Sequence, residues 1–71
     1  MATATWEITI KRSDGSRLRF SERKASVPEN GEILQTADAG QVIKARIDTC
    51  HEEPPKGGQV APCFQVMATE I

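Results

Sequence analysis

The sequence predicts an all-β domain, a small five-stranded antiparallel meander curled into a barrel, and three observations predict it. Thr3 to Arg12 alternates, with Trp6, Ile8 and Ile10 on one face and Thr5, Glu7, Thr9 and Lys11 on the other. Val42 to Cys50 and Cys63 to Ile71 are two more alternating runs, flanking a polar loop with prolines. The connections between such runs are short, and a flat five-stranded sheet would leave one apolar face uncovered, which curling into a barrel avoids.

The first turn can be read to the residue. A two-residue turn at Asp14-Gly15 would set Ile10 opposite Arg19 and put the apolar faces out of step. A three-residue loop, Ser13-Asp14-Gly15, sets Ile10 opposite Leu18 and Ile8 opposite Phe20, with Gly15 where a left-handed residue is required. The second strand is then Arg17 to Glu22. Ser21 to Asn30 breaks the alternation, and Pro28 holds Val27 extended, which forbids a helix there. Glu29-Asn30-Gly31 turns into a third strand, Glu32 to Thr36, and Thr36 to Gly40 turns again.

The organising feature is the C-terminal hairpin. Setting Cys50 opposite Cys63 brings Ile47 to Val66, Ala45 to Ala68 and Thr49 to Phe64, with Lys44, Arg46, Asp48, Gln65 and Thr69 on the far face. The rival reading makes the fold α+β, with residues 39–48 helical. Asp38 and Gln41 resemble a capping box, and Ala39, Val42, Ile43, Ile47 and Cys50 share a helical arc. Gly40 in the first turn, Arg46 within the arc and three β-branched residues favour the strand. The expected loop, Glu52 to Gln59, holds two prolines and two glycines and nothing apolar.

The expected core is Trp6, Ile8, Ile10, Leu18, Phe20, Val27, Ile33, Ile43, Ile47, Phe64 and Val66. For one domain of 71 residues this is a thin interior. A second subunit over Val42, Met67 and Ile71 would supplement it, so a homodimer is expected. The tryptophan-bearing first strand and the sequence Pro28-x-x-Gly31-x-Ile33-Leu34 leading into the third resemble SH3-like barrels, a resemblance that implies the same small closed barrel.

The net charge of −1 removes the general electrostatic reason to expect nucleic acid or an anionic membrane. The charge is polarised, however: residues 1–24 hold six bases and three acids, and residues 25–71 hold three bases and seven acids. Lys11, Arg12, Arg17, Arg19, Arg23 and Lys24 form the candidate binding patch. Nucleic-acid modules add exposed aromatics to such a patch, and the three aromatics here, Trp6, Phe20 and Phe64, fit the interior better. No run approaches a membrane span of roughly 18 apolar residues. Two cysteines without a signal-like N-terminus fit a reducing, cytoplasmic setting.

Cys50, His51 and Cys63 are the only cluster of metal-ligand type. Three ligands at this spacing fall short of a zinc site, and adjacent Cys50 and His51 on a strand point to opposite faces. No nucleophile-and-base set and no phosphate loop stands in the chain. The expectation is a non-enzymatic domain without cofactor or metal. It binds protein, itself included, with nucleic acid as the alternative ligand of the basic patch.

Overall fold

The computed structural model describes residues 3–54, 57 and 61–71. Five strands make one curled, half-barrel sheet: β1 (Ala4–Lys11), β2 (Arg17–Lys24), β3 (Ile33–Asp38), β4 (Gln41–Glu53) and β5 (Cys63–Glu70). Residues 39–48, the segment of the helical alternative, contain only the β3–β4 turn and strand. Pro55, Lys56, Gly58 and Gln59 of the expected loop lie outside the described residues, and Glu52 and Glu53 belong to β4.

The strand order, β2-β1-β5-β4-β3, corrects the expected meander. β1 pairs parallel with β5, and β2 and β3 become the two edges instead of neighbours. The physical reason is apolar content. β1 and β5 carry the cleanest inward rows, and parallel alignment sets Trp6 beside Phe64, Ile8 beside Val66 and Ile10 beside Ala68. β2 and β3 spend inward positions on Glu22, Lys24, Thr36 and Asp38, which only an edge tolerates.

The first hairpin has the expected register, Ile10 opposite Leu18 and Ile8 opposite Phe20. The Arg12 amide donates to the Ser16 carbonyl at 2.8 Å and the Gly15 amide to the Arg12 carbonyl at 3.0 Å, with Gly15 at φ +89°.

The C-terminal hairpin is shifted. Glu53, not Cys50, stands opposite Cys63, and Ile47 meets Ala68, not Val66. The strands slide by two residues, and a bulge at Asp48 then inserts one more. The bulge flips the alternation, so both Ile47 and Cys50 face the concave side. Cys63 shares its row with Thr5 and Glu53 on the convex side. The two sulfurs therefore lie on opposite faces, and no disulfide joins them.

The concave face is the core: Ala4, Trp6, Ile8, Ile10, Leu34, Ala45, Ile47, Phe64, Val66 and Ala68, with Leu18, Phe20 and Cys50 packed against it. Ile43 is buried as well. Two expected members are outside it. Val27 is 62% exposed because the β2–β3 connection turns in Pro28 instead. Ile33 is 49% exposed because the β3–β4 register aims Leu34 inward against Ala45.

The connection between β2 and β3 crosses one end of the half-barrel and is fastened to it. The Trp6 Nε1–H donates to the Ser26 carbonyl at 3.0 Å, and the Cys50 thiol reaches the Asn30 Oδ1 at 3.3 Å. The Gly31 amide donates to the Ile47 carbonyl at 2.8 Å.

β3 and β4 are joined by a two-residue turn with both residues left-handed, Ala39 at φ +51° and Gly40 at φ +81°. Such a turn favours Asn-Gly, because an alanine Cβ is strained in this region. Ala39→Asn is expected to raise the stability by about 0.5–1 kcal/mol, read as a higher urea midpoint. An unchanged or lower midpoint would contradict the strain at this position.

Candidate functional site

With its apolar half turned inward, the sheet offers its convex face to solvent. The parallel pairing of β1 with β5 assembles a row there that no single hairpin contains. Arg17 stands opposite Lys11, Lys11 beside Thr69, Thr69 opposite Arg46, and Arg46 opposite Ile33. Neighbouring strands are about 4.8 Å apart, so this row crosses the whole sheet and spaces Arg17 and Arg46 by about 14 Å. Arg19 lies in the next row with Thr9 and Met67, and Lys44 lies two residues from Arg46 on the same face.

Lys11, Arg17, Arg19, Lys44 and Arg46 are all exposed, and among the described residues none of them enters an ion pair. Two acids near the row are held by neutral partners: the Asp48 Oδ2 accepts from the Thr69 hydroxyl, and the Glu7 Oε2 accepts from the Gln65 amide. Both carboxylates keep their charge on this face, and the five cations remain unpaired beside them among the described residues. Aliphatic side chains border them, with Val42 64% and Ile71 59% exposed. A shallow depression beside Arg19 is lined by Glu7, Thr9, Ser21, Gln65 and Met67.

The sequence patch is divided by this geometry. Lys11, Arg17, Arg19 and Arg23 face outward on the convex side. Lys24 turns to the concave side, its Nζ 4.5 Å from the centre of the Trp6 ring and 3.6 Å from the Glu22 carboxylate. Arg12 ties the hairpin tip to the far strands, 3.2 Å from the Asp38 Oδ2 and 3.4 Å from the Glu70 Oε1. Lys44 and Arg46 were missing from the patch. Their outward positions are legible in the alternation of β4, but their nearness to Lys11 follows only from the parallel β1–β5 pairing.

No protein family, curated protein or solved structure matches the chain.

Cys50, His51 and Cys63 do not converge. Cys50 is on the concave side, and exposed His51 lies 3.7 Å from Glu53 on the other. Among the described residues no group of three or more ligand side chains could hold a metal. No helix among them is long and apolar enough to cross a membrane.

Glu70 fixes one end of the site. Its carboxylate accepts from the Ser13 amide at 3.0 Å and from the Arg12 guanidinium, and these bonds outweigh desolvation and hold its pKa below the ordinary 4.5. Asp14 is held below 3.8 by the Ser16 hydroxyl and amide. A depressed carboxylate stabilises the fold above its unfolded pKa and loses that contribution as pH falls through its folded value. Urea midpoints are therefore expected to fall on acidification through the carboxylate range, and Glu70→Gln to flatten this fall while lowering the midpoint at neutral pH. An acid limb unchanged by Glu70→Gln would remove this tie from the account.

Proposed function

We propose that the chain is a non-enzymatic protein-binding domain that uses its convex face to hold an acidic segment of a partner, and that it also associates with a second copy of itself. The observation that carries the reading is the cross-strand row Arg17–Lys11–Thr69–Arg46, whose cations enter no ion pair among the described residues. Charge placed this way on a chain of net charge −1 attracts a local anionic partner without making the whole protein basic. The aliphatic border of Ile33, Val42 and Ile71 favours a partner with acidic and aliphatic side chains.

The same row could meet phosphates, the alternative reading. Sequence-tolerant binding of single strands adds aromatic stacking to charge. Here Trp6 and Phe64 are buried and Phe20 packs against the core, so no aromatic ring stands on the convex face. The balance favours protein. The test is fluorescence anisotropy with a labelled peptide alternating glutamate and leucine, against a single-stranded oligonucleotide of equal charge, each over a range of salt. The reading expects tighter binding of the peptide. Tighter, steeply salt-dependent binding of the oligonucleotide would move the assignment to nucleic acid, and no binding of either would remove it.

A further inference from the structure

We infer that the self-association in this reading runs through β3, which pairs antiparallel with β3 of a second copy about a two-fold axis at Gln35. The backbone groups that the edge leaves open determine how it can pair. The two-residue turn makes Asp38 and Gln41 a hydrogen-bonded pair, and alternation then makes Thr36–Ile43 and Leu34–Ala45 hydrogen-bonded pairs. The Ile47 amide donating to the Glu32 carbonyl at 2.9 Å continues the same phase. Ile33, Gln35 and Ala37 therefore aim their amides and carbonyls away from β4, toward the edge, where the sheet has no further strand among the described residues.

Two requirements restrict the register, and the number of pairs formed chooses among those that remain. Opposed residues must share a face, and the open amides must meet open carbonyls. Setting Gln35 opposite Gln35 of the second copy satisfies both, because it brings Ile33 opposite Ala37 and Leu34 beside Thr36 across the axis. Three pairs would then exchange about two hydrogen bonds each, and exposed Ile33 would cover exposed Ala37. A shift by one residue breaks both requirements at once, and a shift by two keeps them but forms two pairs instead of three.

The opposite edge shows the contrast. In β2 the bond from the Arg12 amide to the Ser16 carbonyl sets the phase, and the residues with outward amides are Arg17, Arg19, Ser21 and Arg23. Self-pairing there would set Arg17 against Arg23 of the second copy, a repulsive arrangement that guards natural edges. β3 from Ile33 to Asp38 carries no lysine, arginine, proline or bulge. One edge is guarded and the other is open, so association closes as a dimer instead of propagating as a filament. Two-fold pairing makes one continuous sheet with both basic rows on the same surface. An edge of six residues buries little area, so the dimer is weak and depends on concentration.

The test is sedimentation equilibrium of the full chain and of Gln35→Lys and Gln35→Glu, each checked for a native far-ultraviolet spectrum. Gln35 is exposed and lies on the axis, so each variant sets like charges directly opposite each other. The expected result is a wild-type dimer, at least ten-fold weaker association of either variant alone, and recovery when the two are mixed. A wild-type chain that stays monomeric up to about millimolar concentration, well above the range of stable interfaces, would end the self-association reading itself. A dimer that persists in both variants would keep that reading and remove β3 from it. Two monomeric variants that fail to associate on mixing would remove the two-fold register.

Discussion

Trp6→Ala is expected to leave the chain unable to hold its fold at physiological temperature. Trp6 is fully buried in a central strand, beside Phe64 in the parallel row and opposite Glu22 on the edge strand. Truncating a buried tryptophan costs about 3–5 kcal/mol. A domain of this length has roughly 4–11 kcal/mol in total. The loss extends past the ring, because the indole also anchors the β2–β3 connection through Ser26 and carries the Lys24 ammonium on its face. At about 4–8 °C per kcal/mol for small domains, the melting temperature should fall by roughly 15–30 °C. Trp6→Phe keeps an aromatic ring and loses the hydrogen bond, so it should cost about 1–2 kcal/mol. Thermal melts followed by circular dichroism compare the two. Equal, small effects would mean that the connection over the concave end does not depend on the indole.

The second large effect concerns binding. Reversing Lys11, Arg17 and Arg46 together to glutamate should weaken capture of the acidic peptide by roughly 100-fold, since each reversal turns an attraction of about 0.5 kcal/mol into a repulsion of similar size. All three side chains are exposed and free of ion pairs among the described residues, so the melting temperature should change little. Lys24→Gln gives the complementary result, because its ammonium sits over Trp6 on the other face. That variant should lower stability and leave peptide affinity unchanged. The pair separates a row assembled across strands from a patch contiguous in sequence. If Arg46→Glu alone had no effect while Arg23→Glu abolished binding, the contiguous patch would be the correct one.

What could be read from the sequence follows from how far each contact reaches along the chain. The β1–β2 hairpin was legible to the residue, because loop length, Gly15 and two alternating faces all chose one register. In the β4–β5 hairpin the same alternation fixed the faces but not the position, since a slip of two residues returns every side chain to its own face. Ile47 can meet Val66 or Ala68 with equal propriety by pattern. Through the parallel β1–β5 pairing Glu70 reaches Arg12 and Ser13, partners more than fifty positions away that no local pattern reveals. The bulge at Asp48 was invisible for a similar reason, and it alone separated Cys50 from Cys63 by face. Between adjacent Ile33 and Leu34, only the register against Ala45 decides which is buried. Half of the candidate surface shared this limit. Arg17, Arg19 and Lys11 were visible as one hairpin face, whereas Arg46 joined them only when β5 lay parallel to β1.

The central claim is a division of labour between the two faces of one sheet, the concave side for cohesion and the convex side for contact. Titrating the labelled protein with the acidic peptide and mapping amide and side-chain chemical shifts tests it directly. The account predicts that the shifts gather on Lys11, Arg17, Arg19, Lys44 and Arg46 and on Thr9 and Thr69 between them. Shifts centred instead on Leu18, Phe20, Leu34 and Thr36, along the open side of the half-barrel, would contradict it.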